Sequence, residues 1–391
     1  MSLKFPVERA EKRRVLLQAV ASVRDILAAD AEESEILRTL PPASVAALTD
    51  SGLFAMKCPA ELGGAEADPV TQLEVIEATS YIDPSAGWCL AICNGGVGMA
   101  GAFLSQPAIE RLFAGSRPPR IAGSIMPGKA IPVDGGYRIS GRWSWGSGIH
   151  HAEWLTVRTI VESDDGNPPY PRLSVFPAAQ AEIHDNWYVS GLKGTGSCDF
   201  SVSDLFVPEA FTIDMRAREP KRGGPLYQLG LPGFLINELA GFALGVARRA
   251  LDAIIDLAKT KRRGYGKQTA LAEREVFQRA IGEGDLRLRA ARALAIEIFE
   301  KAWETVCAGR RPEPELQVEM RSATTLVTDV ALDITTVAFR YGAGSAIRLS
   351  SPLQRCLRDL QVEAAHLMVS DSAYVMHGQC LLGLADVDPM A

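Results

Sequence analysis

The hydrophobic positions change their spacing twice along the chain, and the two changes predict three segments. The early pattern is helical, with Pro41-Pro42 ahead of a helix over residues 43–51 and a small, apolar stretch over 85–104. From Arg120 onwards, short alternating runs are separated by Gly, Pro and Asp-Gly, which is typical of strands. Long helical stripes return from Gly233. We therefore predict an N-terminal helical domain (1–117), a central β-domain (118–225) and a C-terminal four-helix bundle (226–391).

The predicted strands share β-branched or alternating residues and span 121–125, 137–143, 154–161, 172–176 and 200–207. Three of the four C-terminal helices show an apolar stripe over residues 251–258, 291–298 and 327–334. The fourth begins with Ser351, which caps, and Pro352, which suits the first helical position, and Gly378 is predicted to close it.

Composition and charge narrow the class of protein. The chain has 391 residues, is 47% hydrophobic and carries a formal net charge of −6 from well-mixed acids and bases, so it presents no basic field for nucleic acid or an anionic membrane. We expect no uncharged apolar run of about 18 residues and therefore no membrane span. The start of the chain lacks the apolar run of a signal peptide. The seven cysteines form no CxxC pair, which fits reduced thiols in the cytoplasm.

Common catalytic motifs are absent from the sequence. Neither the dinucleotide-binding GxGxxG, the phosphate loop GxxxxGK[ST], HExxH nor GxSxG occurs in its required setting. The five histidines do not pair with cysteines at metal-ligand spacings. These absences set aside a Rossmann dehydrogenase, a P-loop nucleotidase and a zinc enzyme, and no metal site is predicted.

Three stretches together resemble the acyl-CoA dehydrogenase superfamily over nearly the whole chain. They are GGYRISGRWSWGSG at 135–148, GLKGTGS at 191–197 and RRGYGK at 262–267. The resemblance implies that Trp145 and Ser147 contact a flavin, and that Arg262 and Tyr265 help to hold the far end of a flavin dinucleotide. The chemistry is sensible, because an indole face covers an isoalloxazine edge and a hydroxyl suits the flavin N5 atom.

The sequence departs from the dehydrogenases where they carry their catalytic base. The YEGT run that usually follows Arg-Asp is missing after Arg358-Asp359, and His366 stands at the tyrosine position. With PLQRCLRD at 352–359, this pattern resembles the reduced-flavin-dependent monooxygenases of the same fold, which hydroxylate phenolic, indolic and other heteroaromatic substrates. The resemblance implies a separate reductase that supplies reduced FAD or FMN, molecular oxygen, and a C4a-hydroperoxyflavin that Ser147 would steady.

The remaining site residues follow from this resemblance. His366 is predicted as the general base that deprotonates a substrate hydroxyl or ring nitrogen, since the ordinary pKa of histidine suits work near neutral pH. Its spacing from Asp359 predicts that both share one face of the last helix. Trp88, Asn94 and Asp359 are predicted to line the substrate pocket.

Two other functions remain open at this level. One is an acyl-CoA dehydrogenase or oxidase that acts on the CH–CH group of an acyl-CoA thioester with an unusual base. The other is a flavoprotein-like scaffold that has lost its cofactor. For the favoured monooxygenase, the resemblance implies a homotetramer, because the bundle of this fold usually packs against other bundles, and the cysteine usage predicts a cytoplasmic location. The substrate, the choice of FMN or FAD and the atom oxygenated stay open.

Overall fold

The computed structural model describes residues 5–162, 168–216, 219–263, 269–384 and 388–389. The chain folds as two compact units, which we call the first and second units. The first unit comprises Met1–Asp68, Trp88–Val189 and Lys193–Gln228. The second comprises Pro69–Gly87, Ser190–Leu192 and Leu229–Ala391. Division into three domains at residues 117 and 225 therefore stays a prediction.

The helices share the usual features of amphipathic or buried segments, and their bounds in chain order are α1 (Arg9–Leu37), α2 (Pro42–Asp50), α3 (Pro69–Ile82), α4 (Pro84–Phe103), α5 (Gln106–Leu112), α6 (Gly230–Leu235), α7 (Asn237–Thr260), α8 (Glu275–Cys307), α9 (Pro314–Gly342), α10 (Pro352–Ala364) and α11 (Ser372–Leu381). The strands are β1 (Ile121–Val133), β2 (Gly136–Trp143), β3 (Trp154–Val161), β4 (Tyr170–Pro177), β5 (Glu182–His184), β6 (Asp199–Pro208), β7 (Thr212–Asp214), β8 (Arg262–Arg263) and β9 (Thr269–Ala270).

A seven-stranded sheet forms the centre of the first unit. Its order is β5-β6-β2-β1-β3-β4-β7; β1 and β3 are parallel and the other neighbours antiparallel. The β1–β3 register shifts between Ser124 and Gly128, which leaves Ile125 and Met126 exposed at an irregularity. The inward face of the sheet and the apolar sides of α4 and α5 form one hydrophobic core.

Trp143, at the end of β2, anchors this core. Its ring is fully buried and stacks on Phe200 at 5.7 Å between centroids, while Nε1 donates to the carbonyl of Arg158 at 3.1 Å. A Cβ at Gly128 would lie 2.2 Å from the indole, and one at Gly141 would lie 2.8 Å from it. The two glycines therefore make room for the ring. The buried ring in turn fixes the position of the end of β2 in the sheet.

The second unit is a helical assembly in which α3 and α7 approach closely. A Cβ at Gly241 or Gly245 would lie 2.2 Å from a carbonyl oxygen of α3, that of Leu73 or Glu77. The two helix backbones therefore meet without side chains between them. Arg292 of α8 fixes the same region, since it binds the carboxylates of Glu74 at 2.8 Å and Glu77 at 2.9 Å. The long helices α7, α8, α9 and α10 pack on one another in this unit.

Most predicted elements are confirmed by the structure. All five predicted strands are present, and the helix after Pro41 is α2. The predicted end of the fourth bundle helix at Gly378 is wrong: α10 stops at Ala364, and a separate helix, α11, contains Gly378. Strands β5 and β7 were not predicted, because each has three residues and too short a pattern to detect.

The expectation that no long uncharged apolar run exists is also wrong. Helix α4 has 20 residues and no charged side chain, and it is one of three described helices long and apolar enough to cross a membrane. Within its most apolar window, however, 78% of the residues are buried in the protein. Packing against the sheet therefore accounts for the composition of α4 without a bilayer.

A small cavity in the second unit gives a direct test of its packing. About 110 Å³ of space lies between α7, α8 and α9, next to Gly284, where a Cβ would be 3.7 Å from the nearest atom. We expect Gly284→Ala to stabilise the protein by about 1 kcal/mol, because alanine favours a helix interior and fills space. Urea unfolding measures the change.

The matched control is Gly245→Ala, whose Cβ would lie 2.2 Å from the Glu77 carbonyl oxygen. This variant should lose about 1–3 kcal/mol, because the two helices must separate. A loss of stability in Gly284→Ala of the same size would show that the space beside Gly284 does not admit a methyl group.

Candidate functional site

The loop after β2 presents the two residues predicted to contact a flavin. Trp145 has a left-handed backbone, φ +64°, and its side chain is 60% exposed. Positive φ is unusual for a bulky residue, so the loop must be held by its surroundings. Two backbone hydrogen bonds fix the loop. The N–H of Gly146 donates to the Cys198 carbonyl at 3.1 Å, and the N–H of Gly148 donates to the Thr195 carbonyl at 2.9 Å. The indole is thereby kept outside the core.

Ser147, unlike Trp145, is buried and belongs to a chain of hydroxyl groups. Its Oγ lies 2.7 Å from the Oγ of Ser197, which lies 2.6 Å from the Oγ1 of Thr195. The indole N–H of Trp88 donates to the Ser147 Oγ at 3.1 Å. All four side chains are buried. The sequence motif 191–197 thus contributes one hydroxyl, that of Ser197, directly to the predicted flavin residue and a second, that of Thr195, through Ser197. The sequence did not predict this contact.

The hydroxyl chain is able to point in either direction. Three hydroxyl hydrogens are available for two links, so one hydrogen remains for an acceptor at one end. If Thr195 donates to Ser197 and Ser197 to Ser147, then Ser147 offers its hydrogen. In the reverse direction, Ser147 donates to Ser197 and keeps a lone pair for an incoming N–H. The same buried side chain therefore serves either as a donor or as an acceptor.

The two residues of α4 predicted to line a substrate pocket have different surroundings. Trp88 contacts the hydroxyl chain, as described. Asn94 is fully buried; its amide donates to the carbonyls of Leu53 and Leu90 at 2.9 and 3.0 Å and accepts from the N–H of Lys57 at 3.2 Å. These bonds give Asn94 a structural role. Its place in a substrate pocket stays a prediction that the contacts do not favour.

The residues predicted to hold the far end of the flavin dinucleotide lie in the second unit. Arg262 is exposed in β8, which pairs with β9. Tyr265 falls within 264–268, outside the described residues. Both roles stay predictions.

Asp359, also of the second unit, is fully buried in an ionic network rather than exposed to a cavity. Its carboxylate accepts from the N–H of Leu192 at 2.6 Å and lies 3.7 Å from the guanidinium of Arg355, which binds Asp83 at 2.6 Å. Gly191 belongs to the same arrangement, because a Cβ there would lie 2.2 Å from the Arg358 carbonyl oxygen. The network fixes segment 190–192 on α10. The predicted pocket role of Asp359 stays a prediction without support from these contacts.

His366 does not lie on a helix, and the prediction that it shares a helical face with Asp359 is wrong. Helix α10 ends at Ala364, and His366 begins a short 3-10 turn over Leu367–Val369. Its Nδ1 accepts a hydrogen bond from the N–H of Met368 at 3.3 Å. Burial lowers the pKa of His366, which keeps the ring neutral near neutral pH.

Glu363, one turn before His366, is a second titratable group, and it was not predicted. It is fully buried, neither carboxylate oxygen has a hydrogen-bond partner among the described residues, and burial raises its pKa well above the ordinary value. Burial without a hydrogen-bond partner favours the protonated form of this carboxyl group. It is therefore unsuited to take a proton from a substrate.

A cavity of about 700 Å³ lies in the first unit, between the ends of α1 and α2 and the turn after the Trp145 loop. Its polar wall includes Arg117, Arg120, His150 and His151. Burial, with a smaller contribution from Arg120, lowers the pKa of His151 to about 4, so this ring is neutral. None of the predicted site residues lines this cavity, and among the described residues no group of three or more His, Cys, Asp or Glu could hold a metal ion.

The buried ion pair between Asp83 and Arg355, next to Asp359, gives a testable dependence of stability on pH. Burial raises the pKa of Asp83, and Arg355 opposes that rise. In Arg355→Met the pKa of Asp83 should rise further above its unfolded value of about 3.9. The folded state then binds a proton that the unfolded state has released, so stability falls as pH rises from about 4 towards that higher pKa.

We therefore expect Arg355→Met to lose about 3–5 kcal/mol of unfolding free energy at pH 7, with part of the loss recovered at pH 5. Urea unfolding at both values measures it. The control is Arg287→Met, whose pair with Asp333 is 42% and 63% exposed, and which should change stability by at most about 1 kcal/mol. An equal loss at both pH values would show that Asp83 is not the uncompensated group.

Comparison with known proteins identifies the family. The N-terminal domain model of acyl-CoA dehydrogenase matches residues 10–105 and the C-terminal domain model matches 238–371. An indole-3-acetate monooxygenase of Pseudomonas putida is 33% identical over 336 residues, which cover 85% of this chain and 84% of the relative. The oxygenase subunit HsaA of a flavin-dependent monooxygenase from Mycobacterium tuberculosis is 29% identical over 92% of this chain and 93% of its own.

The fold agrees with these relatives. XiaF from Streptomyces, solved in complex with FADH2 and glycerol, superposes with a TM-score of 0.91 and 25% identity over 98% of both chains. The predicted acyl-CoA dehydrogenase-like fold and the predicted flavin-dependent oxidoreductase are thereby confirmed. The chain belongs to the acyl-CoA dehydrogenase family, in its branch of flavin-dependent monooxygenases.

Proposed function

We propose that this chain is the oxygenase component of a two-component system that hydroxylates an aromatic or heteroaromatic small molecule. A separate reductase would supply reduced FAD or FMN, and the enzyme would work as a cytoplasmic homotetramer. The observation that carries the proposal is the buried hydroxyl chain ending at Ser147 beside the exposed indole of Trp145. The indole-3-acetate monooxygenase supports the substrate class, and the oxygenase subunit supports a separate reductase.

The hydroxyl of Ser147, with the chain of hydroxyls behind it, fits a flavin in both of its redox states. When bound, reduced flavin supplies the electrons with which oxygen is activated, so that one oxygen atom enters the substrate and the other becomes water. The N5 atom of oxidised flavin accepts a hydrogen bond, whereas that of reduced flavin donates one. Because the chain of Ser147, Ser197 and Thr195 is reversible, Ser147 matches both states without a change of rotamer.

Trp145 supplies the apolar part of the same site. An indole that is 60% exposed leaves a large flat surface in water, and an isoalloxazine would cover part of it. Its left-handed backbone is held by the hydrogen bonds of Gly146 and Gly148, so the ring is placed before the flavin arrives. This prior placement reduces the entropy lost on binding.

His366 is the residue that we propose to meet the polar group of the substrate, a hydroxyl or a ring nitrogen. Its ring is neutral at neutral pH because burial lowers its pKa. The dehydrogenase alternative needs an ionised carboxylate instead, whereas burial raises the pKa of Glu363, the carboxyl group three residues before His366, well above its ordinary value. No contact among the described residues favours that alternative.

Reconstitution tests the proposal. The protein is mixed with NADH, a flavin reductase, FAD or FMN and a panel of phenols and indoles under labelled oxygen gas. We expect one labelled oxygen atom in the product of at least one aromatic compound. Flavin-dependent oxidation of acyl-CoA thioesters with an artificial electron acceptor, without oxygen insertion into any aromatic compound, would overturn it.

Removal of the Ser147 hydroxyl should weaken flavin binding. Ser147→Ala is expected to lower the affinity for reduced flavin about 10-fold, because one buried hydrogen bond contributes about 1–1.5 kcal/mol. Anaerobic titration followed by fluorescence measures the affinity. In the control, Ser201→Ala, the lost hydroxyl contacts His184 on the sheet, and affinity should not change. Equal affinity of Ser147→Ala and the unaltered protein would remove Ser147 from the flavin site.

Truncation of His366 should affect the product and not the flavin. His366→Ala is expected to bind reduced flavin with unchanged affinity and to lower the rate of product formation about 10- to 100-fold, with hydrogen peroxide released instead. Product and peroxide are measured together. His184→Ala, which alters a histidine on β5, is the control. An unchanged product yield would exclude His366 from the reaction.

A further inference from the structure

We propose that Arg321 is a positioning residue that locks His366 in the form carrying its hydrogen on Nε2, so that His366 donates a hydrogen bond to the substrate instead of removing its proton. This inference rests on the proposed function only in that the substrate meets His366. It replaces the general-base role that the sequence predicts for this histidine. All the residues concerned lie in the second unit.

The turn that carries His366 fixes the state of one ring nitrogen. The backbone N–H of Met368 donates to Nδ1 at 3.3 Å, and Val369 N–H donates to the His366 carbonyl at 3.0 Å. A nitrogen that accepts a hydrogen bond carries no hydrogen of its own. In the neutral ring the hydrogen therefore sits on Nε2, and the nitrogen on the far side of the ring from the turn is a donor.

A general-base role would require the other tautomer. For Nε2 to accept a proton it must first lose its hydrogen, and the neutral ring would then hold that hydrogen on Nδ1. Two N–H groups, those of Nδ1 and Met368, would face each other, and the hydrogen bond between them would be lost. The turn would have to open before His366 could act as a base.

Arg321 of α9 holds the turn closed. The side chain is 1% exposed, and its guanidinium donates to the Met368 carbonyl at 3.2 Å and to the Leu367 carbonyl at 3.1 Å. It also donates to the carbonyl of Pro389 at 3.1 Å. One buried cation therefore ties together the turn after His366 and a residue near the end of the chain.

Ser370 and Ser372 also hold this turn, and we call Arg321 with these two serines the clamp. The Oγ of Ser370 donates to the Leu367 carbonyl at 3.0 Å, and the hydroxyls of Ser370 and Ser372 lie 2.8 Å apart. Both accept from the guanidinium of Arg321, at 3.3 and 3.1 Å. A planar fork with five N–H groups suits this set of acceptors, whereas a lysine offers three hydrogens at one point.

The hydrogen on Nε2 of His366 determines which kind of substrate atom the ring binds. A fixed Nε2–H favours an acceptor atom opposite it, such as a phenolate or carbonyl oxygen or an unprotonated ring nitrogen. A hydrogen bond to an anionic oxygen is stronger than one to a neutral hydroxyl, so a phenol would be bound preferentially as its anion. Its proton would pass to solvent water rather than to His366.

The ring state is measured directly by nitrogen NMR on the full chain labelled in histidine, without flavin or substrate. The sequence has five histidines, and the signals missing in His366→Gln assign the ring. We expect Nδ1 to resonate as an unprotonated nitrogen and Nε2 as a protonated one. A ring with its hydrogen on Nδ1 would overturn the proposal, whatever the enzyme does with aromatic compounds.

The role of Arg321 is tested by Arg321→Met, with Arg287→Met, an exposed partner of Asp333, as control. We expect mixed tautomer signals for His366 in the first variant and unchanged signals in the second. Ser370→Ala removes one bond to the turn and keeps the cation, so it serves if Arg321→Met does not fold. An unchanged Nε2–H signal in both Arg321→Met and Ser370→Ala, or in Ser370→Ala alone if the first does not fold, would exclude the clamp.

Substrate turnover separates the two roles of the ring. Glutamine carries a side-chain N–H₂ that donates and has no basic nitrogen, so His366→Gln should form product at least about 5-fold faster than His366→Ala if the ring donates. Equal rates in the two variants would favour a base and overturn the donor role. If no aromatic compound is oxygenated by the unaltered protein, the proposed function fails, while the NMR result still decides the state of the ring.

Discussion

The second unit depends on the buried ion pair between Asp83 and Arg355. This pair joins the end of α3 to α10 across 272 residues of the chain, and Asp359 extends it to the backbone of Leu192. Charges buried to this degree cost free energy unless each meets a partner. The requirement that these groups stay paired therefore fixes the position of α10, and with it the start of the turn that carries His366.

Much of the fold was predictable because local pattern and tertiary packing agree. The five predicted strands alternate or are β-branched, and each of them pairs with a neighbouring strand on both sides. The errors have physical reasons. Helix α4 has no charge because it is buried in the protein rather than in a bilayer. The helix after Pro352 ends at Ala364 because His366 has an extended backbone and its side chain accepts from the N–H of Met368, a local contact that helical periodicity does not reveal.

The candidate site was predictable only in part. The motif around Trp145 and Ser147 was visible because it is continuous in sequence. The contribution of Thr195 and Ser197 was not, since a hydroxyl contact across 50 residues leaves no periodic signal. The pocket roles of Asn94 and Asp359 stay predictions, and their described hydrogen bonds go to backbone groups and, for Asp359, to a neighbouring ion pair. The sequence did not point to Arg321, because backbone carbonyl groups and serine hydroxyls about 50 or more residues away leave no pattern around it.

The two proposed polar contacts of the enzyme differ in how much freedom the protein leaves them. Ser147 belongs to a chain of hydroxyls that reverses at little cost, because every link survives the reversal with donor and acceptor exchanged. His366 is held by a backbone N–H and a turn clamped by a buried guanidinium, neither of which is able to exchange roles. A cofactor that alternates between N5 as acceptor and N5–H as donor needs the first kind of partner. A substrate that must be held by one acceptor atom while oxygen is delivered needs the second.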